Sequence, residues 1–171
     1  MQKIGFYLIY PILLLVSLLP FKLLYLLSDF FYFLIYKVIG YRKQVVYYNL
    51  KRSFPDYQER EIFKIRKDFY HHLCDIFLES IKSVTISKKQ MLKRSKVVNE
   101  NLLFEKYKDQ SVIFMLGHYC NWEWAGQLAS IQFDHKIHII YHELSNPEFD
   151  RFFYKMRSKF GAHLSLSLIH I

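Results

Sequence analysis

An α/β fold is expected from three features of the chain. The N-terminus is hydrophobic and runs into a basic stretch, a long segment of helical periodicity follows, and apolar runs then alternate with helically spaced residues in the last third. The fold expected is an N-terminal membrane helix, or a helical hairpin, followed by a domain with a mainly parallel sheet flanked by helices. At 171 residues the chain is of one-domain length and can bury a real core. The divisions expected are residues 1–40 as a membrane-anchoring segment, 41–165 as a cytoplasmic domain, and 166–171 as a tail of different character.

Aromatic residues make up 19% of the chain, a share that suits a protein meeting lipid. The net charge is +9, unevenly placed. Residues 41–110 carry sixteen Lys and Arg against nine Asp and Glu, whereas residues 111–171 carry five of each. The basic excess therefore follows the hydrophobic N-terminus, where it would touch anionic headgroups. No DNA- or RNA-binding motif accompanies the charge, so nucleic acid is not expected as a partner. Two cysteines, Cys74 and Cys120, are too few for a disulfide framework and suit a reducing compartment.

Taken in order, Ile4 to Leu19 is free of charge and Pro20-Phe21-Lys22 closes the run. A second apolar run, Leu23 to Ile39, is interrupted by Ser28-Asp29. The first run is slightly short of the roughly 17–25 residues a spanning helix needs. A spanning helix with an interfacial one after it, and a shallow hairpin with Pro20 opening its second arm, both remain open. A signal peptide is disfavoured, since no small-residue cleavage site follows Leu19. Arg42, Lys43, Lys51 and Arg52 should face the cytoplasm.

Pro55-Asp56 opens the next helix, with Asp56 as expected N-cap and Glu59 three positions on. Ile62, Ile65, Phe69, Leu73, Ile76, Phe77 and Ile81 predict one apolar stripe, whose expected partner is the core of the α/β domain. His71, His72, Cys74 and Asp75 sit on this helix, but neighbouring residues diverge by about 100°, so surface and groove packing is expected rather than metal ligation. Ser87 to Gln90 is a second capping-box pattern. A short strand is expected at Lys96–Val98 and a helix at Asn101–Lys108.

Val112 to Leu116 is continuously apolar, as a strand covered on both faces would be. Trp122, Trp124, Ala125, Leu128 and Ile131 follow at helical spacing, and Ile137 to Tyr141 reads as a second strand. This order predicts a right-handed parallel crossover. Between them, His118 follows Gly117 and Glu123 lies five residues later, in a first helical turn. Histidine is a good general base near neutral pH, and a carboxylate on its second ring nitrogen fixes the tautomer and stabilises the imidazolium. Five positions along one helix diverge by about 140°, so the pair requires His118 on the turn and Glu123 in the helix. Cys120 is the rival nucleophile, for an acyl-enzyme route. The bland alternative is a strand-end histidine satisfying one hydrogen bond. No dinucleotide or phosphate-loop glycine pattern is present, and no cofactor or metal is expected.

The block GHYCNWEWAG (Gly117–Gly126) resembles the H-x4-D/E motif of the bacterial lipid A biosynthesis acyltransferases, the late lauroyl/myristoyl transferases of the lysophospholipid acyltransferase superfamily. The likeness extends through YRKQVVYYNLKRSFPD (Tyr41–Asp56), FYHHLCDIFLESIK (Phe69–Lys82) and Tyr141–Gly161. It implies a glycerolipid-acyltransferase-like domain whose sheet is incomplete here. It also implies an enzyme of the bacterial inner membrane, with its catalytic part on the cytoplasmic side. Acyl carrier protein would be the acyl donor, and a hydroxyl of a lipid A precursor the acceptor.

In that likeness His118 is the base and Glu123 its partner, while Asn121, Asn146 and Arg157 fall on substrate-binding positions. Arg157 would bind acceptor phosphate or stabilise developing charge, its alternative being a surface ion pair with Asp150 or Glu148. His142 stands where the family usually carries Arg or Lys. Another lysophospholipid or glycolipid acceptor remains open, as does an inactive fragment that only binds lipid. The family's chains run beyond this one, with further strands and site residues. Leu166 to Ile171, LSLIHI, resembles the translation of a transposon-type sequencing adapter, and the natural sequence is expected to stop near Ser165.

Overall fold

The computed structural model describes residues 2–98 and 106–167. Helices dominate. α1 (Gln2–Leu18) and α2 (Phe21–Tyr32) meet at Pro20, which holds the N-cap position of α2. α2 runs on through a π-helical segment, Phe33–Ile39, that ends at left-handed Gly40, where a side chain would be strained. α3 (Lys43–Ser53), α4 (Glu59–Lys82) and α5 (Lys88–Arg94) follow. Then come α6 (Trp122–Gln132), β1 (His138–Tyr141), α7 (Pro147–Arg157), a single 3-10 turn at Ser158–Phe160 and β2 (His163–Leu166).

β1 and β2 are parallel, with His138 opposite His163 and Tyr141 opposite Leu166. The α/β expectation therefore holds in a reduced form, mostly helix with a small parallel sheet. The crossover sits one unit further along than expected, since α7 links β1 to β2. Val112–Leu116 is not a strand. A strand needs a neighbour for its backbone groups, and no described strand pairs with this segment. Its side chains are accordingly open, with Ile113 89% and Met115 93% exposed. Lys96–Val98 also forms no strand. Of the helix expected at Asn101–Lys108, residues 101–105 lie outside the described residues and Lys106–Tyr107 are helical. The expected tail at 166–171 lies outside them from 168 onward, while Leu166 closes β2.

The core is organised around α4. Its buried face is Ile62, Tyr70, Cys74, Leu78 and Lys82, which recur at multiples of four. This corrects the expected stripe, because Phe69, Leu73 and Phe77 point to solvent. The partner differs too, for α4 is covered by the N-terminal helices. α2 runs antiparallel along it, with Tyr25 opposite Glu79, Ser28 opposite Asp75 and Tyr32 opposite His71. Ser28-Asp29 therefore does not break the apolar run. Ser28 Oγ donates to Asp75 at 2.6 Å, and Asp29 lies 3.0 Å from His71 Nε2.

Cys74 is in the core, where burial pushes its thiol up. α4 starts later than expected, since its capping box is Gln58 with Glu61 rather than Asp56 with Glu59. The Ser87/Gln90 box forms as expected.

Two lysines, Lys82 buried and Lys159 largely exposed, close helix ends that would otherwise leave carbonyls unpaired. Lys82 Nζ donates to the carbonyls of Ser17 at 2.7 Å and Leu19 at 2.8 Å, tying the end of α1 to α4. Lys159 Nζ does the same for Val84 and Ile86 beyond α4, at 2.8 and 2.6 Å. Loss of water around the two ammonium groups holds both below the usual lysine range.

Among the described residues no single helix is long and apolar enough to cross a membrane. The expected membrane-spanning N-terminal helix is therefore not supported by helix length. One pair, Phe21–Ile39 with Lys43–Ser53, passes by length and composition together but is bent by 95°.

Candidate active site

The segment before α6 is a chain of tight turns. Tyr119 N–H donates to the Gly117 carbonyl at 2.8 Å, and Trp122 N–H to the Cys120 carbonyl at 3.2 Å. Cys120 takes a left-handed conformation with φ of 52°, one of two such non-glycine residues among those described. Strain of this kind costs about 1–2 kcal/mol and gathers at functional turns. Gly117 carries no such strain, and a side chain there would meet nothing. The residue that the turn constrains is thus the cysteine, whose left-handed backbone no sequence signal marked.

His118 is exposed and packs edge-on against Trp122, ring centres 5.0 Å apart. Among the described residues no hydrogen bond or ion pair joins it to Glu123. Glu123, in the first turn of α6, instead receives both Nε and Nη2 of Arg157, at 2.9 and 2.5 Å. The two side chains are 10% and 24% exposed, so this fork-to-fork pair is largely shielded from solvent. The Glu123 carboxylate holds the Arg157 guanidinium above the usual arginine range. One turn further along α6, Gln127 Nε2 donates to the Met156 carbonyl at 2.7 Å. Spacing of four puts Glu123 and Gln127 on one face, and together they bolt α6 to the end of α7. Arg157 is therefore paired neither with Asp150 nor with Glu148.

Both asparagines act as helix caps. Asn121 Oδ1 accepts from Trp124 N–H at 3.1 Å, and Asn146 Oδ1 from Glu148 N–H at 3.0 Å. The side-chain nitrogen of Asn121 donates to Glu79 Oε2 at 2.8 Å. Glu79 also accepts from Tyr25 on Oε1 at 2.7 Å, and its carbonyl accepts from Trp124 Nε1 at 3.1 Å. Glu79 thus fixes the start of α6 against α4 and α2. Local spacing does not mark Glu79, because its partners come from 42 to 54 positions away. Gly126 lets α6 approach β1, since a side chain there would come within 2.9 Å of Ile139 Cδ1. His142 Nδ1 lies 2.8 Å from the carbonyl of Glu143.

A cavity of about 500 Å³ is lined by Glu79 together with Phe21, Tyr25, Trp124, Gln90, Lys93 and Arg94. His118 and Glu123 do not line it. Arg94 lies over the Phe21 ring at 3.4 Å.

The arrangement thus delivers an accessible imidazole and a shielded carboxylate from one turn, with an arginine fixed on the carboxylate. A family model described as bacterial lipid A biosynthesis acyltransferase matches residues 1–166. The chain belongs to that family. It is an acyltransferase family, and its acceptor is of the lipid A type. No curated protein and no solved structure matches the chain.

Proposed function

We propose that the protein moves a fatty acyl chain from acyl carrier protein to a hydroxyl of a lipid A precursor, at the cytoplasmic face of a bacterial inner membrane. The family match supports the reaction class. The observation that carries the assignment of residues is the turn itself, which presents His118 to solvent five residues ahead of a shielded, arginine-paired Glu123.

In this reading His118 accepts the proton of the acceptor hydroxyl as its oxygen attacks the thioester carbonyl carbon. The carbon–sulfur bond breaks as the tetrahedral intermediate collapses, and the departing thiolate takes the proton back from the imidazolium. Glu123 orients the imidazole through its second ring N–H. A carboxylate offers about four lone-pair sites, and Arg157 occupies two of them, so Glu123 can serve both partners. The 117–121 turn has to swing His118 toward α6 for this to happen, and its exposure leaves room. Arg157 commits Nε and Nη2 to Glu123 and would turn Nη1 to an acceptor phosphate. Asn121 and Asn146 contribute by setting the helix starts that hold Glu123 and Arg157 in place.

The test is mass spectrometry of lipid A from cells lacking the gene, complemented with wild type or His118→Ala. The expected result is loss of one secondary acyl chain, restored by wild type only. Rescue by His118→Ala would remove the base. Unchanged lipid A with altered phospholipids would transfer the reading to another lipid acceptor.

A further inference from the structure

The cavity beside Glu79 gathers chemistry that the turn carrying His118 does not use. Its walls come from four helices: Phe21 and Tyr25 from α2, Glu79 from α4, Gln90, Lys93 and Arg94 from α5, and Trp124 from α6. Its volume of about 500 Å³ falls within the roughly 300–1,000 Å³ of small-molecule sites. Arg157 does not line it.

The polar groups of the lining divide into two kinds. Lys93 and Arg94 stand in the last turn of α5, and among the described residues neither is ion-paired. Their place at a helix C-terminus suits the dipole, which accounts for a cation there but not for its stacking. Arg94 lies 3.4 Å from the centre of the Phe21 ring, and among the described residues no acceptor takes its N–H groups. A guanidinium fixed on a ring with its donors free is a forked partner for phosphate. Gln90 Oε1 accepts from the Ser87 N–H at 3.1 Å, so its NH2 group is what it can offer the cavity. Glu79 is the opposite kind. It accepts from Tyr25 on one oxygen and from Asn121 on the other. A carboxylate has about four lone-pair sites, so about two are left for donors from a ligand. A phosphate cannot use them, whereas hydroxyl groups can.

The rings decide what carries the phosphate. Phe21 and Trp124 meet edge to face at 88°, ring centres 6.1 Å apart, and Arg94 already covers Phe21. They form a corner, not the open parallel face on which a flat nucleobase stacks. A saturated ring fits such a corner, with C–H groups against the aromatic walls and hydroxyls at its edge. Two cations against one carboxylate leave the lining positive, which favours an anion.

We infer that this cavity is a sugar-phosphate site, with the phosphate on Lys93 and Arg94 and ring hydroxyls on Glu79. A phosphorylated sugar headgroup of a lipid acceptor and a free sugar phosphate both carry this chemistry. The first source rests on the acceptor reading proposed above, and gives that acceptor an anchor separate from Arg157.

Two measurements on the full chain test the site and separate the sources. In the first, glucose 1-phosphate is titrated into protein held in a detergent free of sugar and phosphate. Tryptophan fluorescence follows binding, since Trp124 is part of the wall. Saturable binding is expected, at least about tenfold tighter than that of glucose or inorganic phosphate alone. Lys93→Glu and Arg94→Ala should each weaken it at least about tenfold, with circular dichroism reporting that both variants fold. Wild-type protein that does not saturate, or folded variants of unchanged affinity, would overturn the site. In the second, steady-state acyl transfer to a phosphorylated lipid A-type acceptor is measured for the same variants. A rise of at least about tenfold in the acceptor KM, with the acyl-donor KM unmoved, assigns the site to the headgroup. An unchanged acceptor KM, with glucose 1-phosphate binding still dependent on Lys93 and Arg94, assigns it to the free sugar phosphate. Wild-type protein that binds glucose 1-phosphate through these residues but transfers no acyl chain keeps the site and sinks the acceptor reading instead.

Discussion

The helical arm around α4 and the segment ahead of α6 both carry large apolar side chains, which end in opposite situations. Met91, in α5, is completely enclosed and packs in a cluster with Phe21, Leu24, Leu78, Ile86, Trp124 and Leu128. Met115, in the apolar run that leads to His118, is 93% exposed. A helix closes its backbone hydrogen bonds within itself and then needs only a groove for one face. An extended segment depends on another strand for both its hydrogen bonds and its cover. Apolar side chains are therefore enclosed in the arm and left open beside the turn that carries His118. Only Phe114 of that run finds a stacked partner, the Phe133 ring at 5.5 Å.

Met91→Ala should show the largest effect. Deleting a fully buried side chain of this size costs about 3 kcal/mol, the lost transfer energy plus that of the cavity left behind. Chemical denaturation in detergent should show the midpoint shifting with an unchanged slope. A loss below about 1 kcal/mol would mean that the arm is much looser than its packing indicates.

The bolt between α6 and α7 comes next. Arg157→Lys keeps the charge but loses the forked geometry on Glu123, and should destabilise by about 1–2 kcal/mol. Activity should fall further than stability does, because the same change loosens the fixed orientation of the carboxylate that the proposed base requires. The comparison of kcat with the unfolding midpoint reads this directly. Proportionate loss of both would make the pair purely structural.

How much was legible follows the same division. Helix existence, the Ser87 cap, the strand at His138–Tyr141 and the turn that carries His118 ahead of a helix could be read, because each is written in local spacing. Which face of α4 is buried could not. Tyr70, Cys74 and Lys82 are inside because Tyr41, the π-helical Tyr36 and the end of α1 supply partners from far along the chain. The Glu123–Arg157 pair was likewise hidden, since the two residues are 34 positions apart and meet only when α6 packs on α7. Val112–Leu116 misled for the complementary reason: its composition suits a strand, but pairing is a property of the neighbour.

Cys120 offers a smaller and opposite change. Replacing it by glycine removes the left-handed strain of about 1–2 kcal/mol while adding some freedom to the unfolded chain, so a net gain of about 0.5 kcal/mol is expected. Acyl transfer should persist, since the proposed route uses a substrate hydroxyl and no enzyme thiol. Abolished turnover with a raised midpoint would bring back Cys120 as the nucleophile.

Met115→Ala closes the comparison with the smallest effect. At a side chain this exposed, substitution normally stays within about 0.5 kcal/mol, against the several-fold larger loss expected at Met91. The pair of variants removes the same atoms from the same residue type, so the difference between them measures enclosure alone. A loss at Met115 approaching that at Met91 would show that Val112–Leu116 is covered in solution, as a strand beside β1 or another edge would be. His118 would then stand at the end of a paired strand, and the swing toward Glu123 would be confined to the residues after Gly117. A null result keeps the 111–120 segment, ahead of the Asn121 cap, free to move with the base it carries.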